Sequence, residues 1–212
     1  MKSGIEAAMT KKVWNEGRYI GRKPPFTSEQ VQLIKLSLKA RGEERDLLLF
    51  CMGLDSSLRG VDLVKIKVKD VFDKENGVKD PFQVIQSKTG RGISCILTNE
   101  TKRYLADYIT KRSLSNDSYL FTSLYDKEGT GKHITPDHYR DLIKKWLKSV
   151  GLNYKMFASH SLRRSRTSHL YKETGNLRAC QLLLGHSNIQ NTASYLGIEE
   201  EQAHEIARKH PL

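Results

Sequence analysis

Apolar residues in this chain recur at helical spacing along most of its length and fall into alternation only in one stretch, between Val64 and Leu97. Side chains return to the same face about every 3.6 residues in a helix and every second residue in a strand, so that stretch confines the sheet to a short insertion among helices. The expected fold class is mainly α with a small antiparallel β-sheet, an α+β arrangement. Val64, Ile66 and Val68 alternate with lysines, and the runs Phe82 to Gln86 and Ile93 to Leu97 bracket Ser87-Lys88-Thr89-Gly90-Arg91-Gly92 as a hairpin.

Helical signals surround the insertion. Thr27 with Gln30 three positions on forms a capping box, after which Val31, Ile34 and Leu38 share a face and Arg41-Gly42 ends the helix. Leu47 to Met52 is dense enough for a buried helix, with Gly53 expected to stop it, and Leu58 to Leu63 opens a short one. From Asn99 onward, residues 99–112, 136–149, 161–173, 176–184, 189–195 and 199–208 carry helical periodicity. Residues 1–25 mix charges with Gly17, Gly21 and Pro24-Pro25 and lack sustained periodicity, so they read as a basic arm or linker before a domain over 26–212.

A chain of 212 residues is long enough for one well-buried domain. Its 36 Lys and Arg against 24 Asp and Glu give a formal charge of +12, which favours a polyanionic partner such as nucleic acid. No apolar run approaches the roughly 20 residues that span a bilayer. The polar start MKSGIEAAMTKK lacks the apolar core of a secretory signal, and a cytoplasmic location is expected. Cys51, Cys95 and Cys180 are odd in number and widely spaced, which points to buried, reduced thiols.

Four separated stretches carry the chemistry: Ser57-Leu58-Arg59-Gly60-Val61-Asp62-Leu63, Ser87-Lys88-Thr89-Gly90, His160-Ser161-Leu162-Arg163, and Leu184-Gly185-His186 followed by Tyr195. Taken singly, each has an ordinary reading: a solvated helix face, a hairpin lysine, a hydrogen-bonded histidine, a packed tyrosine. Their order and spacing resemble the tyrosine recombinase, or phage integrase, family over nearly all of residues 26 to 209.

The resemblance implies the tyrosine recombinase catalytic-domain fold of DNA breaking-rejoining enzymes. It implies a first catalytic arginine at Arg59, a supporting carboxylate at Asp62 and a hairpin lysine at Lys88. It also implies a His-x-x-Arg box at His160 and Arg163, a Leu-Gly-His histidine at His186, and a nucleophile at Tyr195 in the setting Thr192-Ala193-Ser194-Tyr195.

The chemistry asks for these residue types. Attack on a phosphodiester concentrates charge on non-bridging oxygens, and the planar forks of Arg59 and Arg163 can tighten on them at the transition state. Tyrosine has an ordinary pKa of about 10, so forming its phenolate at pH 7 costs roughly 4 kcal/mol and requires a base. His160 is the first candidate and His186 holds or orients the phosphate, with the reverse assignment also open. Lys88, on a mobile tip beside Gly90 and Gly92, is assigned as the acid that protonates the departing 5′ oxygen. A 3′-phosphotyrosyl ester stores the energy of the broken bond, so neither a metal nor a nucleotide cofactor is needed.

The resemblance implies site-specific recombination, by integration, excision or inversion, of double-stranded DNA. It further implies a homo-tetramer on DNA, a monomer or weak oligomer when free, accessory DNA-bending proteins, and a cytoplasmic, nucleoid-associated location in bacteria with no membrane partner. Two other functions share these residues: a type IB topoisomerase that relaxes DNA, and a catalytically silent DNA-binding regulator. Where the family often has Arg-His-Ser, this chain has Arg163-Arg164-Ser165-Arg166. Family members also commonly carry an N-terminal helical domain, in whose place stands a short basic arm, as in an excised catalytic domain or a compact single-domain recombinase. An amphipathic C-terminal helix over 199–209 packs either on a neighbouring subunit or on its own domain.

Overall fold

The computed structural model describes residues 22–123, 131–198, 204 and 207–211. Helix α1 (Ser28–Ala40) begins at the expected capping box, with Thr27 accepting from Gln30 N and Gln30 reaching back to Thr27 N. It packs on α2 (Glu44–Asp55), which is buried along almost its whole length. A helix apolar on all sides must lie at the centre, and α2 is covered by α1, by α5 (Asn99–Lys111) and by α7 (Ser159–Thr174). Phe50 and Trp146, in edge-to-face contact at 5.8 Å, fasten α2 to α6 (Pro136–Ser149), and the Trp146 indole donates to buried Asp46 at 2.9 Å.

Two expectations fail here for physical reasons. Gly53 does not end α2: the helix runs on to Asp55, with Ser56 as its C-cap. Gly53 is there because a β-carbon would stand 2.7 Å from the Tyr139 hydroxyl, so it marks a close helix crossing. The alternation at Val64, Ile66 and Val68 does not make a strand. Val64 and Ile66 follow α3 (Gly60–Leu63) and Val68 opens α4 (Val68–Val71); all three are buried, and the segment makes only an isolated antiparallel bridge, Lys67 to Tyr119, with Leu120 N donating to Ile66 O and Val68 N to Ser118 O.

Among the described residues the strands form two antiparallel pairs, β1 (Phe72–Asp73) with β2 (Gly77–Val78) and β3 (Phe82–Ile85) with β4 (Gly92–Cys95), beside isolated bridges at Lys67–Tyr119 and Thr122–His133. In the second pair Phe82 faces Cys95 and Ile85 faces Gly92, leaving Ser87 to Arg91 as the tip. After α7 come α8 (Leu177–Leu184) and α9 (Ile189–Leu196), which pack on each other and on α7. The tail helix expected over 199–209 falls mainly outside the described residues, as does most of the arm expected over 1–25. Among the described residues, no helix is long and apolar enough to cross a membrane, and the three cysteines are free and buried.

Candidate active site

Arg59 is placed by a strained turn. After α2, Ser57 takes a left-handed backbone (φ 51°), a conformation that costs about 1 kcal/mol or more outside glycine, and Arg59 follows as the extended N-cap of α3. Its Nη1 donates to Gln86 Oε1 at 2.9 Å. Gly60 permits this placement, because a β-carbon there would sit 3.0 Å from the Tyr139 ring. Three residues on, Asp62 is buried, and its Oδ1 accepts from Ser87 N at 2.8 Å, fixing the base of the hairpin tip. Lys88 stands exposed on that tip.

Helix α7 has no apolar stripe, yet much of its first half is buried. Its polar side chains are used instead. Ser161 Oγ accepts from Ala158 N, and Ser165 Oγ donates to Ser161 O while accepting from Phe26 N. His160 lies exposed on the first turn, and Arg163, one turn later on the same side, is 2% exposed. Arg163 Nη2 donates to Leu184 O at 2.8 Å, a carbonyl left unpaired where α8 ends at left-handed Gly185. Arg163 Nη1 is buried and makes no hydrogen bond, a charged donor free to meet an anionic oxygen.

His186 follows that helix end, and its Nδ1 lies 3.1 Å from the hydroxyl of fully buried Thr192. Thr192 and Tyr195 share a face of α9, so one turn of helix holds both the histidine's support and the phenol. The rings of His186 and Tyr195 meet edge to face at 5.5 Å. The Tyr195 ring has the guanidinium of Arg164 at 4.7 Å and that of Arg163 at 6.0 Å, and its hydroxyl donates to His160 O at 3.4 Å.

Charge in this cluster is one-sided. Desolvation lowers the His160 pKa from its ordinary value, with Arg163, Arg164, Arg59 and Lys88 adding to the effect. His186 is pushed down to about 4, first by desolvation and then by Arg163 and Arg59. Both imidazoles are therefore neutral at pH 7. Desolvation raises the Tyr195 pKa, and Arg163 and Arg164 only partly oppose it. Burial also lowers Arg163 from the ordinary arginine value.

The structure thus brings Arg59, His160, Arg163, His186 and Tyr195 together at the junction of α3, α7, α8 and α9. Lys88 joins them as a charge felt by His160, and Asp62 lies beneath the hairpin. Between Arg59, His160, Arg163, Ser159 and Tyr139 lies a cleft of about 200 Å³. The sequence reading did not single out Gln86, which is 1% exposed and bonds both Arg59 and the end of α8. Its signal was a polar residue in register with inward-facing Phe82 and Val84. Among the described residues, no three His, Cys, Asp or Glu side chains gather so as to hold a metal ion.

Comparison with known proteins identifies relatives in sequence and in fold. "Probable integrase/recombinase YoeC" of Bacillus subtilis (strain 168) is 28% identical over 178 residues, covering 84% of this chain and 91% of that protein. Tyrosine recombinase XerC of Caldanaerobacter subterraneus subsp. tengcongensis is 28% identical over 192 residues, covering 88% of this chain and 51% of that protein. The chain spans about half the length of this XerC. The crystal structure of XerA recombinase superposes with a TM-score of 0.71 at 18% identity, over 92% of this chain and 67% of that one. The XerH site-specific recombinase bound to its difH substrate gives 0.68 at 21%, over 88% and 55%. These likenesses show the fold. The phage integrase family pattern matches residues 26–202, more than four-fifths of the sequence, and the chain therefore belongs to that family, the family of the tyrosine recombinases.

Proposed function

We propose that this chain cleaves and rejoins double-stranded DNA at specific sites, holding the broken strand as a 3′-phosphotyrosyl ester on Tyr195. The Tyr195 oxygen attacks phosphorus, a P–O bond to tyrosine forms, and the bond from phosphorus to the 5′ oxygen breaks. The phenolic proton passes to His160, whose lowered pKa leaves a neutral imidazole to receive it. Lys88 protonates the departing 5′ oxygen from the hairpin tip. Arg59 and Arg163 hold the non-bridging oxygens, and the buried Nη1 of Arg163 strengthens its bond as charge grows there. His186 Nδ1 lies 3.1 Å from the Thr192 hydroxyl, which orients the ring so that its Nε2 faces the phosphate. Asp62 supports the site from below by holding the hairpin.

The phosphotyrosyl ester lies near the phosphodiester in free energy, so a 5′-hydroxyl of another strand can reverse the attack and reseal. The chain works as a homo-tetramer on two DNA sites, is a monomer or weak oligomer when free, and acts in the cytoplasm at the nucleoid with DNA-bending helpers. The domain begins near Phe26, after a basic arm or linker; Arg22 donates to Ser194 O and Arg164 Nη1 to Lys23 O at 2.7 Å, which lays Arg22 and Lys23 against α9 and α7.

The observation that carries this reading is the convergence of Tyr195 with Arg163, His160 and His186 inside one chain. A suicide duplex nicked beside the cleavage position tests it. Wild type should give a DNA-shifted band on a denaturing protein gel and Tyr195→Phe none; an equal band from the mutant would place the nucleophile elsewhere.

A further inference from the structure

We propose that Gln86 is a positioning residue for strand cleavage: its buried amide ties Arg59, the Lys88 hairpin and the end of α8 into one unit. The inference rests on the recombinase reading above. Gln86 Oε1 accepts from Arg59 Nη1 and from Thr89 Oγ1, both at 2.9 Å, while its Nε2 donates to Leu184 O at 3.4 Å. That same carbonyl accepts from Arg163 Nη2 at 2.8 Å, so the two arginines are joined through one amide and one helix terminus. The backbone of Gln86 also closes the tip that carries Lys88, donating to Arg91 O at 2.9 Å and accepting from Gly90 N at 2.8 Å.

A neutral amide suits this place. It offers an acceptor to Arg59 and a donor to Leu184 O from one short side chain, which neither a hydroxyl nor a carboxylate can do at that span. A carboxylate would pair with Arg59 and cancel charge meant for the phosphate; the amide takes one guanidinium nitrogen and leaves the charge intact. Gly185 belongs to the same arrangement, since a β-carbon there would stand 2.9 Å from Gln86 Nε2. A reacting group misplaced by about 1 Å can slow chemistry about a hundredfold, and Gln86 fixes Arg59 while tying Lys88's hairpin to the same frame.

The test is a double-mutant cycle on the rate of covalent adduct formation with the nicked duplex, in the full chain. Gln86→Leu should slow the adduct about thirtyfold and change DNA affinity by less than about threefold. In an Arg59→Lys background, where the fork is already lost, the same change should cost less than about threefold. Equal factors in both backgrounds would mean a merely structural role and overturn the proposal, as would a Gln86→Leu rate equal to wild type. Gln86→Met, which fills the volume without the amide, repeats the cycle if Gln86→Leu fails to fold. Wild-type adduct is the internal control: without it the recombinase reading falls and this one with it, whereas its presence beside an unaffected Gln86→Leu sinks this proposal alone.

Discussion

The Tyr195 hydroxyl donates to the backbone oxygen of His160 at 3.4 Å, across 35 residues of the same chain. The helix that carries the phenol is therefore docked on the helix that carries His160 and Arg163, within one chain. A phenol held on a carbonyl is protonated and quiet.

Arg163 should matter more to chemistry than to binding. Arg163→Ala removes the unpaired buried donor and should cut the cleavage rate about 10²- to 10³-fold while DNA affinity, measured by gel shift, moves less than about threefold. Arg163→Lys should recover little, because an ammonium lacks the fork. A parallel loss of binding and cleavage would make Arg163 a docking contact.

Acid should weaken the fold through His186. Its folded pKa of about 4 lies below the unfolded value near 6.5, so the unfolded chain binds more protons between those values and stability falls as pH drops through that window. With the ring half-exposed, solvent screening leaves about 1 kcal/mol of this effect. His160 adds to it in the same direction. Urea unfolding at pH 7 and pH 5 should show a larger loss in wild type than in His186→Gln; identical losses would mean the ring titrates normally.

Two left-handed helix ends should respond differently to alanine. Gly175 (φ 63°) meets nothing within 4 Å, so Gly175→Ala costs the backbone strain alone, about 1 kcal/mol. Gly185 (φ 64°) faces Gln86 Nε2 at 2.9 Å and Ile93 Cδ1 at 3.0 Å, so Gly185→Ala adds overpacking of about 1–3 kcal/mol and should slow cleavage. Thermal unfolding and adduct rates of the two variants check this, and equal penalties would argue against a tight fit at Gly185.

What the sequence disclosed depended on how local each signal was. Capping at Thr27, the hairpin at Phe82 to Leu97 and the helices from Asn99 to Leu196 rest on neighbours in the chain, and the structure has them. Gly53 misled because its reason is Tyr139, 86 residues away, and no helix-stop rule sees a distant hydroxyl. Val64, Ile66 and Val68 misled because burial beside an isolated bridge can mimic a strand's alternation. At the site, residues with a charge or ring to display were visible as ordered boxes. Gln86, whose work is to bond others, was legible only as an oddity on a strand's inner face. Which helix ends would unite Arg163 with Leu184 O depends on tertiary packing and left no mark in either residue.

The most direct measurement is the site of attachment itself. Wild-type adduct on a nicked duplex, digested with protease and nuclease and read by mass spectrometry, should yield one peptide bearing a 3′-linked nucleotide on Tyr195. A nucleotide on any other residue, or one linked through its 5′ phosphate, would contradict the account.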